Sequence, residues 1–170
     1  KRQIFDCPMN IGLIAPLLAA FLFWSESLTS VTTSEVSLRC MIQMVNYDGE
    51  GAYVIVGLVD SEGKYLDTLY VLGDDEDWYY ELEEWWKFFG RSKDSIDGIT
   101  GPTLGGGERT ILQLNLKEDW LDRGYGLRFE TGVENEGYFP REVVIPLTSD
   151  LQHGKHPGEG FIRYVRLAIG

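Results

Sequence analysis

Between Asp6 and Glu26 the chain runs nineteen residues without a charged side chain, CPMNIGLIAPLLAAFLFWS, and no other stretch of it looks like this. A helix of that length reaches about 28 Å, close to the roughly 30 Å hydrocarbon core of a bilayer. The run therefore divides the chain. Residues 8–25 are expected to form a membrane anchor, with 8–24 in the lipid, and everything after them must fold without its help. Lys1 and Arg2 precede the run and Glu26 follows it, which puts residues 1–7 on the cytoplasmic side and the main domain on the opposite side of the membrane. The rival reading is a secretory signal peptide, whose removal would leave a freely soluble exported binding domain. Against cleavage, no A-x-A-like site follows Trp24: Ser25 and Ser27 have the carboxylate of Glu26 between them. Gly12, Ala15, Ala19 and Ala20 would permit close helix contacts in lipid, although small residues are common in any spanning helix. Pro16 would kink the helix. Trp24, with Phe21 and Phe23, sits where an interfacial aromatic belt belongs.

Charge narrows the partners. The net charge of −12 argues against nucleic acid and against anionic lipid headgroups as direct partners of the domain. It favours solubility outside the membrane, or a basic protein partner. The two cysteines, Cys7 and Cys40, fall on opposite sides of the bilayer in this arrangement and cannot pair, and no CxxC or zinc spacing occurs. Catalytic and metal-binding residues are not expected. There is no G-x-S-x-G, and the two histidines, His153 and His156, lie in QHGKHPGEG. Its glycines and proline deny H-x-x-H the helix it needs and leave a solvated loop. The carboxylates of residues 74–84 read as a helix cap and a solvent face.

After a Ser/Thr-rich linker at 26–34, hydrophobic periodicity organises residues 35–170. Val36, Leu38, Cys40, Ile42 and Met44 alternate with polar residues, which predicts a half-buried strand. Strands are also expected over 53–59 and 65–72, joined by the turn Asp60–Lys64, and over 110–116, 125–133, 141–147 and 161–169. One soluble helix should open at Asp74–Asp77, whose acidic side chains suit the positive end of its dipole, and stop at Gly90. Its apolar face would be Trp78, Leu82, Trp85, Trp86 and Phe89. Glu81, Glu83 and Glu84 would face water, with a Glu83–Lys87 pair at i,i+4. About seven strands and one short amphipathic helix predict an all-β sandwich of immunoglobulin or fibronectin type. Seven aromatics crowd residues 78–89, more than one buried face takes. Tyr79, Tyr80 and Phe88, together with Trp24, are therefore candidate partner contacts.

The segments YVIVGLVDSEGKYLDTLYVLG, ELEEWWKFFGR, DGITGPT, ILQLNL and GYFPREVVIPL stand in that order between residues 53 and 147. In this order they resemble a bacterial periplasmic family catalogued as domain of unknown function 2271. The resemblance implies an exported β-sandwich encoded near membrane redox proteins, and it carries no catalytic residues. Within it, Asp97-Gly98-Ile99-Thr100-Gly101-Pro102-Thr103 is similar to the D-x-x-[ST]-G-A-T sequence at which a flavin transferase esterifies FMN. Thr103 would be the acceptor, with Thr100 and Asp97 positioning the reaction. Pro102 replaces the alanine of that pattern and removes an N–H beside the acceptor. The expectation is a non-catalytic accessory subunit of a bacterial membrane complex, of an electron-transfer kind such as a respiratory or photosynthetic one, without cofactor. The alternative is a redox module with covalent FMN on Thr103.

Overall fold

Strict alternation makes β1 (Glu35–Met44) the spine of one sheet: Leu38, Cys40, Ile42 and Met44 are wholly buried while Arg39 is exposed. β2 (Tyr53–Val59) follows a different rule. It reads YVIVGLV and is buried on both faces from Val54 to Val59, as a continuous apolar run requires. The computed structural model describes residues 34–92, 99–151 and 154–170. The chain divides into residues 1–31, which lie outside the described residues together with the expected anchor and Trp24, and a compact unit of residues 32–170. Among the described residues no helix is long and apolar enough to cross a membrane.

The remaining strands are β3 (Tyr65–Leu72), β4 (Thr100–Gly101), β5 (Arg109–Lys117), β6 (Gly126–Val133), β7 (Gly137–Pro146), β8 (Lys155–Pro157) and β9 (Ile162–Ile169). They form a four-stranded sheet in the order β5-β1-β9-β8 and a five-stranded sheet in the order β4-β3-β2-β6-β7. All pairings are antiparallel except the short parallel β3–β4 pair. Leu38, Ile42, Leu114 and Val165 of the first sheet meet Val54, Val56, Phe129 and Ile145 of the second in a single core. The expected β-sandwich is therefore present. Its connectivity is not immunoglobulin-like: there the first two strands pair in one sheet, whereas β1 and β2 lie in different sheets. The QHGKHPGEG segment also differs from the expected solvated loop. Its residues Lys155–Pro157 form β8 on β9, with His156 half-buried.

The helical segment breaks where a continuous helix was expected. Asp75 accepts a hydrogen bond from the Asp77 N–H at 3.0 Å and opens a 3₁₀ turn over Glu76–Glu81. The turn ends at Leu82, and an α-helix, α1 (Glu83–Ser92), continues. A 3₁₀ turn stacks residues i and i+3. Tyr79, Leu82 and Trp85 therefore line up and are all buried, at 1 %, 1 % and 0 % exposure. Trp78 turns to a half-buried position and Trp86 to an exposed one. The segment packs on the outer face of the five-stranded sheet, against Ile55, Val59, Tyr65 and Val71, and not on the sandwich core. Lys87 pairs with Glu84 at 2.9 Å and more distantly with Glu83 at 4.0 Å.

Candidate functional site

Beneath α1 lies a densely hydrogen-bonded polar cluster. β6 alternates, so Leu127 and Phe129 enter the sandwich core while Arg128 and Glu130 point to the α1 side. Glu130 is wholly buried, and its two oxygens accept from four donors. Oε2 takes the Tyr65 hydroxyl at 2.6 Å and Arg128 Nη2 at 3.4 Å; Oε1 takes the Tyr138 hydroxyl at 2.7 Å and the Trp85 backbone N–H at 3.1 Å. Arg128 also donates through Nε to the Pro140 carbonyl at 2.6 Å, and its guanidinium lies 4.5 Å from the centre of the Tyr65 ring. Gly57 makes this possible: a Cβ there would stand 2.2 Å from the Tyr65 ring. Burial pushes the Glu130 carboxyl above the ordinary carboxylate range, against the pull of its hydrogen bonds and of Arg128. Burial, then the Glu130 charge, drives the Tyr65 phenol upward.

A second buried carboxyl, Glu142 on β7, accepts from the Thr131 hydroxyl, the Gly160 N–H at 3.0 Å and the Ile162 N–H. It ties the start of β9 to the five-stranded sheet. Burial raises its pKa as well. Cys40 is sealed in the core, where burial pushes its thiol up to about 12. Among the described residues no buried side-chain nitrogen or oxygen lacks a hydrogen-bond partner. These groups are occupied in holding the fold together.

The structure scatters the residues singled out from sequence. Tyr79 is not a surface contact: it is buried, its hydroxyl donates to the Gly73 carbonyl at 2.8 Å, and its ring meets Trp85 edge-on at 5.1 Å. The 3₁₀ winding is the cause. Phe88 is half-buried and stacks on Tyr65 at 5.7 Å. Tyr80 is 56 % exposed and Trp86 38 %, so the exposed aromatics of the segment are Tyr80 and Trp86, the second of which sequence periodicity assigned to the core. Thr100 belongs to β4, and Asp97 lies outside the described residues. Thr103 is half-buried, with its hydroxyl against Gly51, where a Cβ would come within 2.3 Å of it. Around it the backbone is clamped. Ala52 and Leu104 exchange hydrogen bonds at 2.7 and 3.0 Å, and the Tyr47 hydroxyl donates to the Leu104 carbonyl at 2.5 Å while accepting from the Ala52 N–H at 2.9 Å. Gly106 packs so tightly that a Cβ would lie 2.0 Å from the Tyr47 carbonyl oxygen. Backbone packing thus accounts for this glycine.

Two clefts flank the helical segment. One, of about 340 Å³, gathers Lys64, Lys87, Arg128 and Arg141 around Tyr65 and Phe88. Glu62 and Glu84 also line this cleft, and Arg128 is committed to Glu130 and Lys87 to Glu84, which leaves Lys64 and Arg141 to give it a modest positive character. The other, of about 220 Å³, lies between the 3₁₀ turn and the β6–β7 turn. Tyr53, Trp78, Leu82, Val133 and Tyr138 line it, with Glu81, Glu134 and Glu136 also in its wall. Sequence reading missed Arg128, Glu130 and this cleft. The signal for the first two was their shared face on β6, opposite a strand that is apolar on both sides.

Fold and sites define a class: a two-sheet β-sandwich whose second sheet is covered by an aromatic helical segment over a buried charge pair. Residues 35–164 match the family described as predicted periplasmic protein (DUF2271), and the chain belongs to that family. The match takes in β1 and the first three residues of β9, Ile162 to Tyr164, beyond the stretch whose motifs carry the resemblance. No curated protein and no solved structure matches the chain.

Proposed function

We propose that the chain is a non-catalytic accessory subunit of a bacterial inner-membrane complex, tethered by residues 8–24 with its cytoplasmic end at 1–7. Its periplasmic β-sandwich is held against neighbouring subunits. The observation that carries this reading is the exposure of Tyr80 and Trp86 on a segment whose other aromatics are packed. Such residues supply large contact area at small entropic cost. The electron-transfer character of the complex comes from the family resemblance, and the subunit list of the purified membrane particle tests it. The contact itself is tested with the double variant Tyr80→Asp, Trp86→Asp in the full chain. It should remain in membranes after alkaline carbonate extraction but lose its place in the complex at moderate salt. A variant that still co-purifies, or a chain found to turn over a small molecule, overturns the reading.

In this reading Thr103 carries no flavin. Its hydroxyl is turned onto Gly51 and Pro102 stiffens the peptide before it. A flavin absorbance band that survives denaturation and vanishes in Thr103→Ala would establish the redox module instead.

A further inference from the structure

We infer that the cleft between the 3₁₀ turn and the β6–β7 turn is a receptor for a single arginine side chain presented by a partner protein. The inference rests on the accessory-subunit reading and specifies the chemistry of the contact. The cleft combines two properties. Its walls are aromatic: Tyr53, Trp78 and Tyr138 are half-buried along it, and the Tyr138 hydroxyl is turned inward to Glu130. Its charge has one sign: Glu81, Glu134 and Glu136 lie in its wall, the last with its carboxylate over Gly49, and no lysine or arginine lines it. Among the described residues none of the three is in an ion pair. Burial first, then Asp75 and Asp74 outside the cleft and Glu134 and Glu81 in its wall, push the Tyr53 phenol up to about 12.

Size and shape select the occupant. Pockets for drug-sized ligands run from roughly 300 Å³ upward, whereas an apolar cavity of about 150 Å³ takes one benzene. At about 220 Å³ the cleft suits one long side chain. A guanidinium satisfies both properties of the wall, because it is planar, stacks on aromatic faces and offers a fork of donors to carboxylates. An ammonium is also drawn to an aromatic face but cannot stack flat on it or offer a planar fork to carboxylates.

The test uses the full chain in mild detergent and a short Gly/Ser peptide with one central arginine. Matched peptides carry lysine or citrulline, the latter having arginine's shape without its charge. Binding is followed by titration calorimetry at low salt. The arginine peptide should bind saturably, lysine several-fold more weakly, and citrulline at least tenfold more weakly. The triple variant Glu81→Gln, Glu134→Gln, Glu136→Gln should lose binding at least tenfold while keeping its melting temperature. A separate variant, Trp78→Leu, should bring arginine down to the lysine level. Equal binding of arginine and citrulline, or no saturable binding of arginine, overturns the inference. So does a triple variant that binds as well as the parent. If the arginine peptide binds but the chain belongs to no membrane complex, the accessory-subunit reading fails while the receptor stands. If the triple variant keeps its place in the complex and no peptide binds, the receptor fails and the subunit reading stands.

Discussion

The two sheets share one core and differ in what covers their outer faces. On the four-stranded sheet no described element packs over the outer face, and Arg39, Ile111, Gln113 and Arg166 are exposed between buried neighbours. On the five-stranded sheet the outer face is covered at its centre by the 3₁₀ turn and α1, and a buried arginine and glutamate sit there. The same rule of alternation places the side chains of both sheets, but its consequence depends on what packs above. Residues that would be solvated on the first sheet become obligatory partners on the second.

The contrast predicts that substitutions on the covered face cost most. Trp85 is wholly buried, stacks on Phe89 at 4.7 Å and donates its indole N–H to Thr68 Oγ1 at 2.9 Å. Trp85→Ala empties a large aromatic site and strands that hydroxyl, so the cost should reach about 4–5 kcal/mol, the upper end for aromatic truncations. Denaturant titration measures it. A midpoint unchanged from the parent would mean α1 does not cover this sheet.

Next comes the charge pair. Glu130→Leu removes the acceptor of four donors and leaves Arg128, 2 % exposed, without its counter-charge. Breaking a buried pair costs about 3–5 kcal/mol. The low end, about 3 kcal/mol, is expected because Arg128 keeps the Pro140 carbonyl. Adding Arg128→Leu should recover part of the loss. A double variant weaker than Glu130→Leu by the full cost of a second charge deletion would show that the two groups are not coupled.

A subtler difference lies in pH. Glu142, where the covered sheet meets β9, has its pKa raised by burial above the ordinary value of 4.5. A carboxyl raised in the folded state stabilises the fold below its unfolded value, and that contribution fades as pH rises through the folded value. The window therefore runs from about 4.5 upward. Groups with lowered values, such as Glu84 and Asp122, act in the opposite sense, so the comparison must be made against a variant. Glu142→Gln should be at least as stable as the parent near neutrality, since an amide oxygen accepts from Gly160 and Ile162 without a charge to bury. Its melting temperature should vary less than the parent's across the window. Parallel curves for the two proteins would overturn the assignment.

What the sequence disclosed follows the same division. β1 and β5 were legible because both show the period of an open-faced strand. β2 was legible as a strand, but its run of apolar residues also announced a cover on its outer face, and that inference was within reach. The cover itself was misread at one point. A period of 3.6 put Trp78 and Trp86 on the buried face, whereas three-residue winding up to Leu82 put Tyr79 there. Aspartates at 74–77 mark a helix start of either kind, and the choice between them is made by the sheet below. Arg128 and Glu130 carried no local sign of burial, because what buries them arrives from forty residues earlier in the chain.

The smallest effect is expected on the open sheet, where it is the control for all the others. Ile111 is 54 % exposed on β5, pairs with Met41 of β1, and lies beside the buried Leu112. Ile111→Thr keeps the branched β-carbon that suits a strand and gives up little burial, so stability should change by no more than about 0.5 kcal/mol. The same substitution at Ile55, wholly buried on the covered face of β2, should cost several times more. It loses buried apolar surface and places a hydroxyl beneath α1, where it would need a partner. Measured side by side in urea, the pair isolates the cover, because both start from isoleucine in a strand and end in threonine. Equal losses at the two positions would mean that the two outer faces are alike and that the helical segment is not packed as described.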